Sequence, residues 1–461
     1  MILTTVKEIG QAMKISRREL MNAAIPALAA DVMLPHGVGR AAIMQPHDGK
    51  PEPGEPWPQQ RKKIEGAWLD LLGNFPAEVP PLRPIVKKVA DEGGITRYHV
   101  SYQSESDDRV TAWLMVPNSA KGKRTAAMIC IYSTTYGSGK DYTVGLAGRR
   151  PGDSPCSGAE GHQSGLFWAQ YGYITLSMDF LTDGERVEPG ARVLDTRGFY
   201  AKHPEWSMVG KNIWDIMRGV DFLQSLDFVD PVHIGVQGLS FGGHMALFAG
   251  AFEPRISATL ADGGVLDWHR NGDSWARPDQ PNERELTELA RRFGYKELNV
   301  GPYCYIKRFR PYIEDPNKPI PVDFDSLMMM VAPRPLLILS TEQEFYGNKL
   351  LPKIARALPI YMNWRDTAGM PSIVELRRAS LGYPTELKYY KDNYNIQADA
   401  LGRDIAALGA GDCFSWFSFA GGHSFPPEVR RYSFAWADRW LGHEPDASLA
   451  GVSRAACGPE D

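Results

Sequence analysis

Cysteine is scarce in this sequence: there are five among 461 residues, and no two of them form a C-x-x-C pair. An odd and widely spaced set of this kind predicts neither a disulfide framework nor a site in which thiolates hold a metal ion. Cys130 lies inside an apolar run and is most simply a core residue. We expect the protein to work without a metal ion or an organic cofactor.

Two further absences concern charge and membrane spans. The 51 basic and 55 acidic residues leave a net charge of -4, so the sequence predicts no strong field that would attract nucleic acid or an anionic membrane. No apolar run reaches the roughly 18 residues of a membrane span. With 43% hydrophobic and 23% charged residues, the composition is typical of a globular protein with a large core. The oligomeric state is left open.

The N-terminal region carries a twin arginine, Arg17 and Arg18, ahead of a mildly apolar stretch with small residues. This segment, 13–31, resembles a twin-arginine leader. Residues 1–45 are therefore interpreted as an export signal that directs the protein to the periplasm or out of the cell. The alternative is an amphipathic N-terminal helix of a cytoplasmic protein.

Composition also divides the rest of the chain. Residues 46–60 hold five prolines, which predicts an extended linker over 46–63. We expect the folded domain to span 64–445 and a C-terminal tail to occupy 446–461.

The hydrophobic pattern changes along this domain. Segments 97–103 and 109–116 alternate with period two and predict an antiparallel hairpin. After them, continuous apolar strands alternate with helices, as in a parallel sheet that is covered on both faces. The predicted strands are 126–132, 174–179, 232–236, 256–261, 335–340 and 414–419, and the predicted helices are 64–73, 165–171, 212–226, 245–248 and 426–441.

Ser240 stands in a G-x-S-x-G sequence between an apolar strand and an apolar helix. A strand-to-helix turn of this kind forces its central residue into a strained backbone that projects the hydroxyl from the sheet edge. Gly238 and Gly242 leave room for the turn, and Gly243 lets the helix approach the sheet. We therefore interpret Ser240 as a nucleophile, with the backbone NH of Phe241 as a donor to an oxyanion.

In this arrangement the nucleophile is followed along the chain by an acid and then by a histidine, each in a loop after a strand. His423 comes after an apolar strand and a Gly-Gly bend, and it is the predicted base. Glu344, in the loop after strand 335–340, is the preferred acid. Glu342 in the same loop is the alternative acid, followed by Asp412.

The second oxyanion donor is expected from the loop after strand 126–132, which contains Thr134 and Thr135. A backbone NH of this loop is the favoured donor, because the two hydroxyls could equally cap a turn. Four tryptophans could stack on sugar rings, although tryptophans in insertions are more often packing residues. They are Trp206, Trp268, Trp275 and Trp364.

The order of these elements resembles the α/β-hydrolases, and more narrowly their acetylxylan-esterase and dienelactone-hydrolase-like branch, over roughly 64–442. The resemblance implies an α/β-hydrolase fold with a mostly parallel central sheet and helices on both faces. Two insertions, about 265–325 and 347–411, are expected to form a cap over the site. The matching blocks are CIYSTT at 130–135, DFLTDGER at 179–186, HPEWSMVGKNIWDIMRGVDFL at 203–223, PVDFDSLMMMVAPRPLLILS at 321–340 and GGHSFP at 421–426.

The same resemblance implies a serine hydrolase that cleaves a small-molecule or carbohydrate ester through an acyl-enzyme, with acetylated carbohydrate as the first expected substrate. A glucuronoyl-type esterase is similar in layout, but it is expected to carry cysteine and arginine around the serine, where this chain has Leu239 and Phe241. Tyr132 and Ser133 depart from the histidine-led loop that is common in the branch. A peptidase or lactone hydrolase, and an inactive hydrolase fold that binds a ligand, remain alternatives.

Overall fold

The structure is a computed structural model, and the chain divides into a small unit, Met1–Gln45 with Pro76–Glu78, and a large unit, Pro46–Phe75 with Val79–Asp461. All the helices and strands of the described residues lie in the large unit. The predicted export signal and the C-terminal tail lie outside the described residues, so the domain boundaries stay predictions. The structure describes residues 56–147, 162–266, 268, 275–277, 281–293, 296–315, 317–341, 350, 353–354, 356–357, 360–361, 413–419, 425 and 427–444.

Within these residues, nine strands form one sheet. The strands predicted from the sequence are all present, with ends that move by a few residues. The strands are Ile85–Glu92 (β1), Ile95–Gln103 (β2), Arg109–Pro117 (β3), Thr125–Ile131 (β4), Ile174–Met178 (β5), Val229–Leu239 (β6), Ile256–Asp262 (β7), Leu336–Thr341 (β8) and Phe414–Phe419 (β9).

The strands follow the order β1-β2-β3-β5-β4-β6-β7-β8-β9 across the sheet. β1, β2 and β3 pair antiparallel in succession, and β3 is also antiparallel to β5. Each neighbouring pair from β5 to β9 is parallel. The carboxyl ends of these parallel strands therefore meet at one edge of the sheet, where ligands bind in open α/β sheets.

Helices connect the strands and cover the sheet. None of the described helices is long and apolar enough to span a membrane. The helices are Trp57–Leu72 (α1), Lys140–Thr143 (α2), Ser164–Gln170 (α3), Arg197–Lys202 (α4), Met208–Gln224 (α5), Phe241–Phe252 (α6), Glu283–Phe293 (α7), Arg310–Glu314 (α8), Phe324–Val331 (α9) and Pro427–Leu441 (α10), with 3-10 turns at Asn118–Ala120, Gly184–Arg186 and Lys307–Phe309.

Both faces of the parallel strands are buried. On one face, α1, α5, α6 and α9 share an apolar core with alternate strand residues such as Ile129 and Val236. On the other face, α3 and α10 share a second core with Cys130, Leu260 and Leu337. Because both faces are buried, these strands appear in the sequence as continuous apolar runs. The predicted sheet with helices on both faces is confirmed.

Two elements differ from the sequence pattern. α1 begins at Trp57 and not at residue 64, because Pro58 sits in the first helical turn, where proline is well tolerated; the end of the predicted linker is thus helical. The pattern does not predict β1, because both of its faces are exposed and it shows no alternation. β1 lies at the sheet edge and has a bulge between Lys88 and Ala90.

The two insertions are described to different extents. The first, 265–325, contributes α7, α8 and part of the core around the site. The second, 347–411, lies almost entirely outside the described residues. Their common role as a cap stays a prediction.

Candidate active site

Ser240 occupies the turn between β6 and α6 with φ 60° and ψ -121°. This left-handed backbone is strained for a residue with a Cβ, and such strain is concentrated at functional sites. The backbone NH of Ser240 donates to the carbonyl of Asp262 at 2.8 Å, which fixes the turn against β7. Ser240 is half-buried, whereas Leu239 before it and Gly242 after it are buried. The predicted strand, turn and helix around the serine are confirmed.

Three glycines permit this turn because other backbone atoms occupy the space of their missing side chains. A Cβ on Gly238 would lie 2.2 Å from the carbonyl oxygen of Gly242. One on Gly242 would lie 2.3 Å from the carbonyl oxygen of Ile131, and one on Gly243 would lie 2.2 Å from that of Asp262. The glycines therefore let α6 start directly between the ends of β4 and β7.

Phe241 opens α6, so its backbone NH belongs to the helix start, where NH groups have no partner within the helix. The positive end of the helix dipole points the same way and favours a developing negative charge. The Phe241 ring lies 5.1 Å from the ring of Tyr305, 5.9 Å from Phe180 and 6.2 Å from Trp275. These four rings, called the aromatic wall, belong to the residue that follows Ser240 and to the three side chains packed against it.

The loop after β4, which spans residues 132–139 and is called the β4 loop, contains the other predicted oxyanion residues, Thr134 and Thr135. The Thr135 hydroxyl donates to Asp183 at 2.8 Å and accepts from the Gly139 NH at 2.8 Å. The Thr135 hydroxyl therefore bonds to a backbone NH of the loop and to Asp183, as expected for a hydroxyl that caps a turn. A backbone donor from this loop stays a prediction.

The β4 loop does not begin with a histidine, but one of its side chains contacts a histidine from another segment. The Ser133 hydroxyl lies 3.0 Å from Nδ1 of His162, which is also buried. The Tyr132 hydroxyl accepts the backbone NH of Phe180 at 2.9 Å. These contacts join the β4 loop to the segments on either side of β5.

The DFLTDGER block, residues 179–186, is the segment after β5, and its contacts account for its place beside the β4 loop. Asp179, which is fully buried, accepts the backbone NH of Lys140 at 2.8 Å and pairs with its Nζ at 2.6 Å. Asp183 accepts the Gly137 NH at 2.7 Å in addition to the Thr135 hydroxyl. Burial raises the pKa of the Asp183 carboxyl to about 6, despite these hydrogen bonds. The block thus holds the β4 loop.

His423 and the acids Glu344, Glu342 and Asp412 lie outside the described residues. The elements that lead into their loops are described, since β8 ends at Thr341 and α10 begins at Pro427. The roles of these four residues stay predictions.

Asp262 is a carboxylate that the sequence reasoning overlooked. It ends β7, is buried, and pairs in register with Leu239 next to Ser240. Alternate residues of a strand share a face, so its side chain lies on the face of Ala258 and Leu260. Phe425, two residues after His423, is buried in the core that contains those two residues. Asp262 directly follows the predicted strand 256–261, so the rule that the acid follows the nucleophile admits it, but the sequence reasoning considered only the loop after strand 335–340 and Asp412.

His244 lies one helical turn after Ser240, but its contacts do not suit a general base. Its ring Nδ1 donates to the backbone carbonyl of Ser240 and not to the hydroxyl. The ring is buried and lies 5.1 Å from the ring of Trp275 and 5.7 Å from that of Phe324. We interpret His244 as a residue that holds the turn.

The tryptophans considered as sugar platforms are packing residues wherever they are described. Trp206, Trp268 and Trp275 are all buried, and Trp268 is fully so. Trp364 lies outside the described residues. Across the described part of the chain, no group of three or more histidine, cysteine or acidic residues is arranged to hold a metal ion.

A mostly parallel sheet with a strained serine at the turn from its central strand into a helix is the arrangement of the α/β-hydrolase fold. The chain has this fold. A family model described as glucuronyl esterase, fungi, matches residues 196–357, a range that includes Ser240.

Named relatives agree with that match. The 4-O-methyl-glucuronoyl methylesterase of Podospora anserina is 30% identical over 143 residues, which cover 29% of this chain and 27% of that protein. The 4-O-methyl-glucuronoyl methylesterase 1 of Wolfiporia cocos is 29% identical over 140 residues, covering 29% and 31%. The chain therefore spans less than a third of the length of these curated relatives.

A solved structure extends the likeness over most of the fold. The glucuronoyl esterase from Solibacter usitatus has a TM-score of 0.54 at 19% identity and covers 86% of this chain and 98% of its own. At this identity the likeness concerns the fold alone.

The comparisons correct the order of the two substrate hypotheses. The sequence reasoning placed the acetyl esterase ahead of the glucuronoyl esterase because Leu239 and Phe241 replace an expected cysteine and arginine. The family model and the named relatives favour the glucuronoyl alternative. The match extends over the 162 residues of 196–357, of which Leu239 and Phe241 are two.

Proposed function

We propose that the protein is a serine hydrolase that cleaves carbohydrate esters, and that its substrate is an ester of the carboxyl group of a glucuronic acid unit. The observation that carries the proposal is Ser240 on its strained turn, inside the range matched by the glucuronyl esterase model.

The proposed cycle is acyl transfer. His423 accepts the proton of the Ser240 hydroxyl, and the oxygen attacks the ester carbonyl to form a tetrahedral intermediate. The backbone NH of Phe241 and one NH of the β4 loop, at Thr134 or Thr135, donate to the oxyanion. The alcohol leaves with the proton from His423, and water then releases the glucuronate by the same steps.

The aromatic wall supports a substrate that is uncharged at the reacting group. Phe241 follows Ser240 in the chain, and its ring is flanked by Tyr305, Phe180 and Trp275. An ester carbonyl loses little by desolvation against such a surface, whereas a free carboxylate would lose much of its hydration energy. The wall therefore favours binding of the ester over the acid product.

We expect hydrolysis of the methyl and benzyl esters of glucuronic acid, with slower or no release of acetate from acetylated xylan and p-nitrophenyl acetate. The reason is that the proposed acyl group is the uronic acid and the alcohol is the leaving group. Proton release at constant pH measures the rate, and chromatography identifies glucuronate or acetate as the acid formed. Methyl galacturonate, the C4 epimer, is the matched control for recognition of the sugar.

Acetate released faster than glucuronate would restore the acetyl esterase as the better hypothesis. Turnover of none of these esters would overturn the proposal. Equal rates on the glucuronate and galacturonate esters would broaden the proposed substrate to uronic acid esters in general.

The identity of the acid is a separate prediction. Asp262 is a candidate because it lies beside β6 and on the face of the sheet where Phe425 is buried. Glu344 and Glu342 instead follow β8. We propose Glu344 as the acid and Asp262 as its competitor. Replacing the acid should lower kcat by about 10⁴-fold, as in other triads, because the imidazolium loses its partner.

The measurement is kcat for three amide variants, Glu344→Gln, Glu342→Gln and Asp262→Asn, on one glucuronate ester. We expect the largest loss for Glu344→Gln and a smaller one for Glu342→Gln. If Asp262→Asn is the most damaging while its unfolding transition matches wild type, the acid assignment moves to β7.

A further inference from the structure

Asp183 places a buried carboxylate against the β4 loop. It lies in the turn after β5, and the residue is 3% exposed. No step of the proposed cycle uses it. Its hydrogen bonds nevertheless run to the loop from which the second oxyanion donor is expected.

The carboxylate holds the β4 loop at two points. Oδ2 accepts the Thr135 hydroxyl at 2.8 Å, and Oδ1 accepts the Gly137 NH at 2.7 Å. Thr135 also fixes the end of the loop, because its oxygen accepts the Gly139 NH at 2.8 Å. Oδ1 further accepts the NH of Gly184 at 3.0 Å, which anchors the carboxylate in its own turn.

The β4 loop in turn lies against the start of α6. A Cβ on Gly242 would be 2.7 Å from the carbonyl oxygen of Tyr132, the first residue of the loop. The Phe180 ring, three residues before Asp183, lies 5.9 Å from the Phe241 ring. A shift of the loop would therefore change the separation between its NH groups and those at the start of α6.

The charge on this side chain is costly. Asp179, Tyr132 and Tyr305 face it, and Asp179 opposes its ionisation by like charge. Burial raises the pKa of Asp183 to about 6, so the ionised form is disfavoured in the folded protein. An uncharged amide of the same shape would avoid this cost, but it could not accept from the Thr135 hydroxyl and two backbone NH groups at once.

We propose that Asp183 is a positioning residue for the oxyanion hole, which it serves by fixing Thr135 and Gly137 of the β4 loop. The inference rests on the proposed serine hydrolase function. The loop donor then has its place before the substrate arrives, which is what makes such a donor effective in the transition state.

The test is Asp183→Asn, assayed on a glucuronate ester at pH 7.5. We expect kcat to fall about tenfold to a hundredfold with KM changed less than about twofold, since loss of a whole oxyanion donor costs about a hundredfold to a thousandfold. The unfolding temperature should be no lower than that of wild type. Because the pKa of the folded state is raised from 3.8 to about 6, the contribution of this carboxyl to stability falls as the pH rises between these values and stays low above them, and asparagine removes that charge.

Two further readouts separate positioning from a general structural role. Thr135→Val should reproduce the loss of kcat, and Thr135→Ser, which keeps the hydroxyl, should restore most of it. The ratio of wild-type to Asp183→Asn kcat should decline toward one as the pH falls below about 6, because wild type then loses the ionised acceptor. Titration of the catalytic base cancels in this ratio.

The control is Asp107→Asn, because Asp107 is an exposed carboxylate paired with Lys202 and has no hydrogen bond to the β4 loop. It should leave kcat and KM unchanged. An unchanged kcat in Asp183→Asn, or a loss accompanied by a lower unfolding temperature, would overturn the inference. Failure of the proposed function would instead appear as full activity in Ser240→Ala, whatever Asp183→Asn does.

Discussion

Replacing Ser240 with alanine is expected to lower kcat for ester hydrolysis by about 10⁴-fold or more, because removal of the nucleophile from a triad leaves only binding and oxyanion stabilisation. The measurement is the initial rate on a glucuronate ester, with enough protein to detect the residual rate. Labelling of wild type by a fluorophosphonate, and its absence in the variant, would identify the reacting oxygen independently.

The turn should survive this change. Ser240 and alanine both carry a Cβ, so both bear the strain of φ 60°. Ser240→Gly removes the hydroxyl and relieves that strain, and it should be equally inactive with no lower unfolding temperature. Ser257→Ala, on β7, is the matched control and should keep wild-type turnover. Near-normal activity in Ser240→Ala would remove the serine mechanism altogether.

Replacing Lys211 with methionine is expected to lower the free energy of unfolding by about 3–5 kcal/mol, the usual cost of breaking a buried ion pair from one side. Lys211 on α5 is fully buried and contacts Asp215 at 2.5 Å, Asp108 at 2.7 Å and Glu105 at 3.1 Å. Without it, Asp215 and Asp108 would keep only Arg186 as a cationic partner, and Glu105 would keep only its contact with His203. Urea unfolding at pH 7, followed by tryptophan fluorescence, measures the change.

Lys202→Met is the matched control, since Lys202 pairs with Asp107 in an exposed setting. Such pairs contribute roughly 0–1 kcal/mol. Arg186 and Lys211 hold the pKa of Asp108 well below its usual range. A depressed carboxyl pKa means that this stabilisation is present at neutral pH and is lost in acid, as the pH falls below the ordinary range of aspartate. A Lys211→Met midpoint equal to wild type would mean that the cluster contributes no net stability.

The parallel strands and the strained turn at Ser240 were predictable because burial on both faces leaves continuous apolar runs, and because a strand-to-helix turn of this kind needs glycine at fixed positions. β1 was not, since an exposed edge strand has no hydrophobic period. Asp183 also gave no signal as a site residue. Its part in the β4 loop depends on contacts 46 and 48 residues apart in the chain.

The substrate was harder to predict than the reaction. The G-x-S-x-G turn is a local requirement of backbone geometry, so five residues suffice to recognise it. Substrate choice depends on residues drawn from several segments of a fold, which no short motif records. The residues next to the serine therefore favoured the acetyl ester, while the longer match favours the glucuronate ester.

The exposed edge strand β1 has a consequence for handling the protein in solution. Ile85, Val86 and Val89 are large apolar side chains that face water on it. An open strand of this composition could template strand addition between molecules and so begin aggregation. Lys88 and the bulge beside it oppose this by placing charge and a break in the hydrogen-bonding ladder at the middle of the strand. Removing that lysine to simplify the surface would therefore work against solubility.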